Sequence, residues 1–135
     1  MKALKALEAE EKEIKTFPYK NRPLPVRGVS VRWLSMAGPV ESPEYGLRYF
    51  TIAPKGEIPI HKHLYYQTMY ILGGQAACRA HDPETDAVVA EQVVGAGHAV
   101  FIPSLEPHSM ENLSDSQDVT FLCCIANVYE EDDAR

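Results

Sequence analysis

Short apolar stretches with a two-residue period recur along most of this chain, each ended by a glycine, a proline or a polar pair. In a strand, side chains at i and i+2 share a face, so this alternation marks half-buried β-strands. Segment 28–34 alternates valines with polar residues and carries Trp33. Segment 47–53 (LRYFTIA) is dense in aromatic and β-branched residues. Pro54, Lys55 and Gly56 are expected to break it. Strands at 58–63 and 67–72 follow, with Gly73-Gly74 as a turn. Segment 75–81 pairs naturally across Asp82-Pro83 with 87–94. A turn at 95–97 leads into 99–102, and strands at 108–112 and 119–128 complete the pattern. About nine or ten short strands at regular spacing predict an all-β sandwich or barrel.

The first residues read differently. Positions 2–15 are rich in Ala, Leu, Lys and Glu, and Leu4, Leu7 and Ile14 form a thin apolar stripe. Their propensity predicts a short surface helix or a frayed arm. Positions 16–27 hold Pro18, Pro23 and Pro25 and should be extended. The chain thus divides into an N-terminal helix or extended arm over 1–27, a barrel over 28–128 and an acidic tail over 129–135.

Length and composition narrow the class. At 135 residues the chain makes one domain with one core. Hydrophobic residues at 45% and charged residues at 24% are globular values, which argues against disorder. The net charge of −6 comes largely from acidic runs near the two ends (Glu8, Glu10, Glu11, Glu13; Glu130, Glu131, Asp132, Asp133), read as solvated. There is no basic stripe, so nucleic acid is not an expected partner. An acidic surface disfavours anionic membranes, and no apolar run approaches the roughly 20 residues of a membrane span. The start of the chain lacks the apolar core of a secretory signal. Three cysteines, two of them adjacent, do not form a disulfide framework, so a cytoplasmic location is expected.

The chemistry concentrates in two stretches. In Gly56–Gly74, His61 and His63 share one strand face, and Gln67 opens the next strand after a short turn. In Gly97–Asn112, His108 supplies a further imidazole from a distant strand. Three imidazoles and one amide oxygen suit a first-row divalent ion.

These two stretches resemble the paired motifs of the cupin superfamily. His61, His63, Gln67 and Gly74 fill the places of the first motif; Gly97, Pro103, His108 and Asn112 fill those of the second. The similarity runs from about Val31 to about Ile125. It is closest to small single-domain, cupin_2-like proteins with a jelly-roll barrel. It implies a double-stranded β-helix fold and one divalent transition-metal ion (Fe, Mn, Ni, Co or Zn) held by His61, His63, Gln67 and His108. It also implies a homodimer, for which the apolar, proline-punctuated segment 17–26 could lie across a partner's sheet edge. Three departures stand out. Gly56 lies one residue closer to His61 than usual. Leu105 replaces a common glycine. Gln67 stands where Glu or His is common, and, being neutral, it leaves a metal its full charge, favouring an anionic ligand.

Around this site several residues are pocket candidates. Arg48 and Phe50 share strand parity, and Arg48 either faces the cavity, where it needs an anion, or points to solvent. Phe121 and Cys123 alternate on the last strand; Cys123 reads more readily as a small core filler than as a cavity thiol. Met69, Tyr65, Tyr66 and Tyr70 read as packing, with a tyrosine at the pocket rim as an option. His81 and His98 lie outside the motif frame and read as surface or turn residues. Gln67 either ligates directly or holds a bound water. Two classes of function follow. One is a metal-dependent oxygenase (dioxygenase) acting on a small organic acid or an enolic or aromatic substrate, with a metal-dependent isomerase or lyase, using Glu106 or a tyrosine as base, beside it. The other is a non-catalytic small-molecule binding or sensor module.

Overall fold

A computed structural model of the chain describes residues 1–35 and 44–126. The acidic tail at 129–135 and the expected end of the last strand at 127–128 lie outside the described residues. Among the described residues nine strands form one antiparallel sheet: β1 (Glu11–Tyr19), β2 (Arg22–Ser35), β3 (Tyr45–His61), β4 (Gln67–Gly73), β5 (Gln75–His81), β6 (Val88–Gly95), β7 (Ala99–Ile102), β8 (His108–Asn112) and β9 (Val119–Ala126). The order is β6-β5-β8-β3-β9-β4-β7, with β2 beside β3 and β1 beside β2. The sheet curls into the double-stranded β-helix of a jelly roll. No helix among the described residues is long and apolar enough to cross a membrane.

The long strand β3 organises the barrel. Its first half pairs with β9 from Tyr45↔Ala126 to Ile52↔Val119, and its second half pairs with β8 up to His61↔His108. Pro54-Lys55-Gly56 is therefore a corner within one strand and not the end of a strand. Lys55 takes a left-handed φ of 62°, which turns the chain. A Cβ on Gly56 would lie 2.7 Å from the Arg27 carbonyl oxygen and 2.8 Å from that of Ala53, so only glycine lets β2 pass this close. The corner lets one strand serve both the β9-β4-β7 side and the β8-β5-β6 side.

The N-terminal segment departs from its local propensity. Helical structure is confined to a 3-10 turn at Ala6–Glu8, and Glu11–Tyr19 is strand. Pairing decides this: Glu11↔Arg32 through Ile14↔Val29, then Thr16↔Pro25 through Tyr19↔Arg22. Ile14 and Phe17 pack on the core, a gain that a solvated helix would forgo. Lys20 (φ 49°) and Asn21 (φ 62°) make the left-handed two-residue turn that matches strand twist. Segment 17–26 thus pairs within its own chain.

The core lies inside the curl: Val29, Val31, Phe50, Ile52, Met69, Ile71, Phe121 and Cys123 are among its buried members. Asn112 is fully buried at the end of β8. Its amide nitrogen donates to the carbonyls of Ile52 (3.0 Å), Ala53 (3.2 Å) and Gln117 (2.7 Å), and its oxygen accepts the Ser114 N–H (3.0 Å). This residue ties β8 to the β3 corner and to the turn before β9, and so fixes the strand that carries His108.

Candidate metal centre

Three histidines converge in the barrel. His61 ends β3, His63 follows in the loop, and His108 begins β8 directly across from His61. Their candidate ligand atoms all lie within 4.8 Å of one another. The strand stops at His61, one turn of the pleat earlier than the alternation suggests, yet His63 still reaches the same cavity.

Each ring is held the same way. Nδ1 of His61 meets the Pro59 carbonyl at 2.9 Å, Nδ1 of His63 meets that of Tyr65 at 3.0 Å, and Nδ1 of His108 meets that of Glu106 at 2.8 Å. A carbonyl only accepts, so Nδ1 carries the proton in all three and the Nε2 lone pair is left for a ligand. Nε2 of His108 is buried with no hydrogen-bond partner. A buried nitrogen in that state is costly unless something coordinates it. Burial, and next to it His108, holds His61 well below the ordinary imidazole range; burial lowers His108 to about 4. Both rings are therefore neutral near pH 7, the form that binds metal. The residues fit a divalent ion.

The site is walled by aromatic rings. Phe17 stacks on His61 with centroids 4.8 Å apart and planes 17° apart; Tyr65 stacks on His63 at 3.9 Å and 12°. The cavity measures about 410 Å³, within the range of small-molecule sites. Arg48, Phe50, Gln67, Met69 and Phe121 line it together with the three histidines. Cys123 is not among the lining residues; it is fully buried behind them, where its Sγ accepts a hydrogen bond from Arg48 Nη2 at 3.0 Å. Gln67 is buried at the start of β4.

Two features escaped the sequence reading. Phe17 and Pro18 reach the cavity from the N-terminal hairpin, whose only signal was a phenylalanine beside a proline in a segment read as an arm. His81, expected at the surface or in a turn, ends β5 and is half-buried; its Nδ1 meets the Asp86 carbonyl at 2.9 Å and its Nε2 meets Ser109 Oγ at 2.8 Å. His98 is exposed in the turn before β7. The hairpin tip is latched to the turn between β5 and β6 by Tyr19 and Lys20, whose side chains bond Asp86 at 2.6 and 3.0 Å.

A jelly-roll barrel that turns three imidazoles into an internal, aromatic-walled cavity defines a class of proteins whose cavity is compatible with a metal ion. Comparison with known proteins gives the family. Residues 48–125 match the Cupin_2 family, described as a cupin domain, and the chain belongs to it. Among solved structures, the polyketide cyclase RemF from Streptomyces resistomycificus is similar at 23% identity and TM-score 0.73, covering 99% of this chain and 89% of that one. Rru_A2000 from Rhodospirillum rubrum, a cupin-2 domain, is similar at 18% identity and TM-score 0.68, over 98% and 78%. Oxalate decarboxylase from Bacillus subtilis is similar at 17% identity and TM-score 0.65, over 92% of this chain and 28% of that one. No curated protein sequence matches the chain. At these identities the likeness is one of fold.

Proposed function

We propose that this cupin is a metal-dependent oxygenase acting on a small enolic or aromatic organic acid, with His61, His63, His108 and Gln67 as the metal ligands. The observation that carries the reading is the common pose of the three imidazoles, each pinned through Nδ1 so that Nε2 is offered to one point. A first-row divalent ion bound there (Fe, Mn, Ni, Co or Zn) would supply Lewis acidity to a substrate oxygen and, where redox-active, the electron transfer that oxygenation requires. The chain does the rest. Its carbonyls fix the imidazoles, and Gln67 contributes an oxygen without charge. Phe50 and Phe121, stacked at 5.0 Å with planes 2° apart, give a flat apolar wall that suits a planar substrate.

Elemental analysis of protein purified without chelator should give about one ion per chain, and replacing both His61 and His63 by Ala should abolish it. Dioxygen uptake by iron-loaded protein, tested on catechols, β-diketones and keto acids, is the decisive assay. A second reading is an oxygen-independent enolate reaction, a cyclisation or isomerisation. It is favoured by the neutral ligand set, which leaves the ion a strong Lewis acid, and by the likeness to a polyketide cyclase along nearly the whole chain. Turnover under strict anaerobiosis would select it. Tight ligand binding with no turnover in either atmosphere would overturn both and leave a binding module.

A further inference from the structure

Among the described residues no carboxylate pairs with Arg48. The half-buried Arg32 and Arg79 each pair with a carboxylate, Glu11 for the first and Glu91 and Glu111 for the second. Among the described residues Arg48 has no such partner, although it too is half-buried and lines the cavity. Its Nε is buried with no hydrogen-bond partner. Nη2 donates only to the Cys123 sulfur. That sulfur is not a counter-ion, because burial pushes the Cys123 thiol up and keeps it protonated. The rings of Phe50 and Trp33 flank the guanidinium at 4.9 and 5.4 Å. They orient it and screen it from water, but they accept none of its in-plane N–H groups.

We infer that Arg48 is the seat of a carboxylate, so that the cavity's ligand is an organic monocarboxylate bound with its acid end on Arg48 and its remainder toward the three histidines. A guanidinium matches a carboxylate in plane and charge. A phosphate dianion would need further donors, and among the described residues the groups that contact the Arg48 guanidinium are a thiol and two aromatic rings. This deepens the proposed function by naming the substrate's charged end, but it stands on Arg48 and not on the metal.

The test therefore uses metal-free, full-length protein and two probes of one shape, benzoate and benzamide, measured by calorimetry. Benzoate is expected to bind at least about 10-fold more tightly than benzamide, as a charge-assisted hydrogen bond requires. In Arg48→Met that ratio should fall to about 1, with Arg48→Lys between. Benzoate should also shift an arginine Nε–H resonance that Arg48→Met lacks. Without ligand, Arg48→Met should melt no lower than the parent, since a half-buried charge with no carboxylate partner among the described residues is removed. Equal affinity for the two probes, no benzoate binding at millimolar concentration, or a strongly destabilised Arg48→Met would each overturn the subsite, the last in favour of a structural role. Failure of the metal proposal reads differently: the parent would take up no ion while the benzoate preference persisted.

Discussion

Asn112→Ala is the substitution whose consequence follows most directly from the structure. The side chain is completely buried and serves four backbone groups: carbonyls of Ile52, Ala53 and Gln117, and the N–H of Ser114. Three acceptors share two N–H hydrogens, so the loss is smaller than four full bonds. At about 1 kcal/mol net for each contact, partly returned by a water that can enter the polar hole, the expected cost is about 3 kcal/mol. For a domain of this size that lowers Tm by about 10 °C. Asn112→Asp separates this account from simple cavity formation. It keeps the acceptor for Ser114 but turns a second acceptor toward three carbonyls in a site closed to water. It should cost at least as much as Ala, about 4 kcal/mol. Urea unfolding with matched m-values is the assay. An Ala variant that loses less than about 1 kcal/mol, or an Asp variant milder than Ala, would refute the reasoning. Because Asn112 ends the strand that His108 begins, metal affinity of the Ala variant should fall as well.

Other outcomes are expected. Gln67→Glu should tighten metal binding, since a full charge at the ~2 Å of a metal–oxygen bond contributes on the order of several kcal/mol at an effective dielectric of ~20 before desolvation takes part of it back; it should also weaken benzoate, and looser metal binding would show that Gln67 is not a direct ligand. Tyr19→Phe should speed extraction of bound metal by a chelator, because the hairpin that places Phe17 over His61 loses the shorter of its two bonds to Asp86. The Tyr19 and Lys20 hydrogen bonds hold the Asp86 carboxyl below its ordinary range. A lowered native value stabilises the ionised form, so the latch is at full strength above the ordinary carboxylate range of about 4 and weakens as pH falls through the lowered value; extraction that is slowest at acid pH would contradict it. Iodoacetamide at pH 8 should modify exposed Cys124 first, since burial pushes the Cys78 thiol up to about 11 and encloses Cys123; equal labelling of all three would contradict this. A homodimer is expected from the exposed aromatic face at Tyr66, Tyr70 and Phe101, and light scattering at micromolar concentration giving a monomer mass would exclude it.

The barrel was legible because its signals are local. Alternation along 75–81 and 99–102 gave β5 and β7 with their observed bounds, and the two histidine-bearing stretches lie where short-range spacing brings imidazoles to one cavity. What was not legible depends on partners distant in sequence. Segment 11–15 has a helical composition but a strand partner 15–21 residues away, and pairing outweighed propensity. The corner at Pro54-Lys55-Gly56 reads as a strand end from composition, because nothing nearby reveals that β2 crosses it at contact distance. Leu105 is a sharper case. Its φ of 66° is left-handed, the conformation that the glycine common at this place in cupins adopts freely. The backbone path is kept although the side chain disfavours it, and its N–H bonds the His63 carbonyl at 2.8 Å, joining the two histidine-bearing loops. The direction of Arg48 was open in the sequence because strand parity alone does not say which face is inside; the pairing Arg48↔Cys123 beside the buried Phe50↔Phe121 settles it.

The charge distribution joins these observations. The chain as a whole carries −6, and its acidic runs sit near the ends. The cavity is the opposite. His61 and His108 are neutral, Gln67 carries no charge, and Glu91, which also lines it, is held by Arg79. That leaves Glu106 against two cations, Lys62 at the lining and the guanidinium of Arg48, before any ion adds its own charge. Such a cavity favours anions while the protein's outer field repels them. Long-range steering therefore works against the ligand, and salt should ease its approach. Affinity must come from contacts made after water has left, where a guanidinium flanked by two aromatic rings and, on the proposed function, an ion on neutral ligands act at short range in low dielectric. A ligand that answers both at once is a small carboxylate with a second oxygen donor at its other end, and the planar pair Phe50–Phe121 favours one whose linking atoms are conjugated. In such a molecule the charge that docks on Arg48 and the oxygen offered toward the histidines share one π-system. Binding at the two ends then restrains the atoms between them, the atoms at which an enolic or aromatic acid reacts.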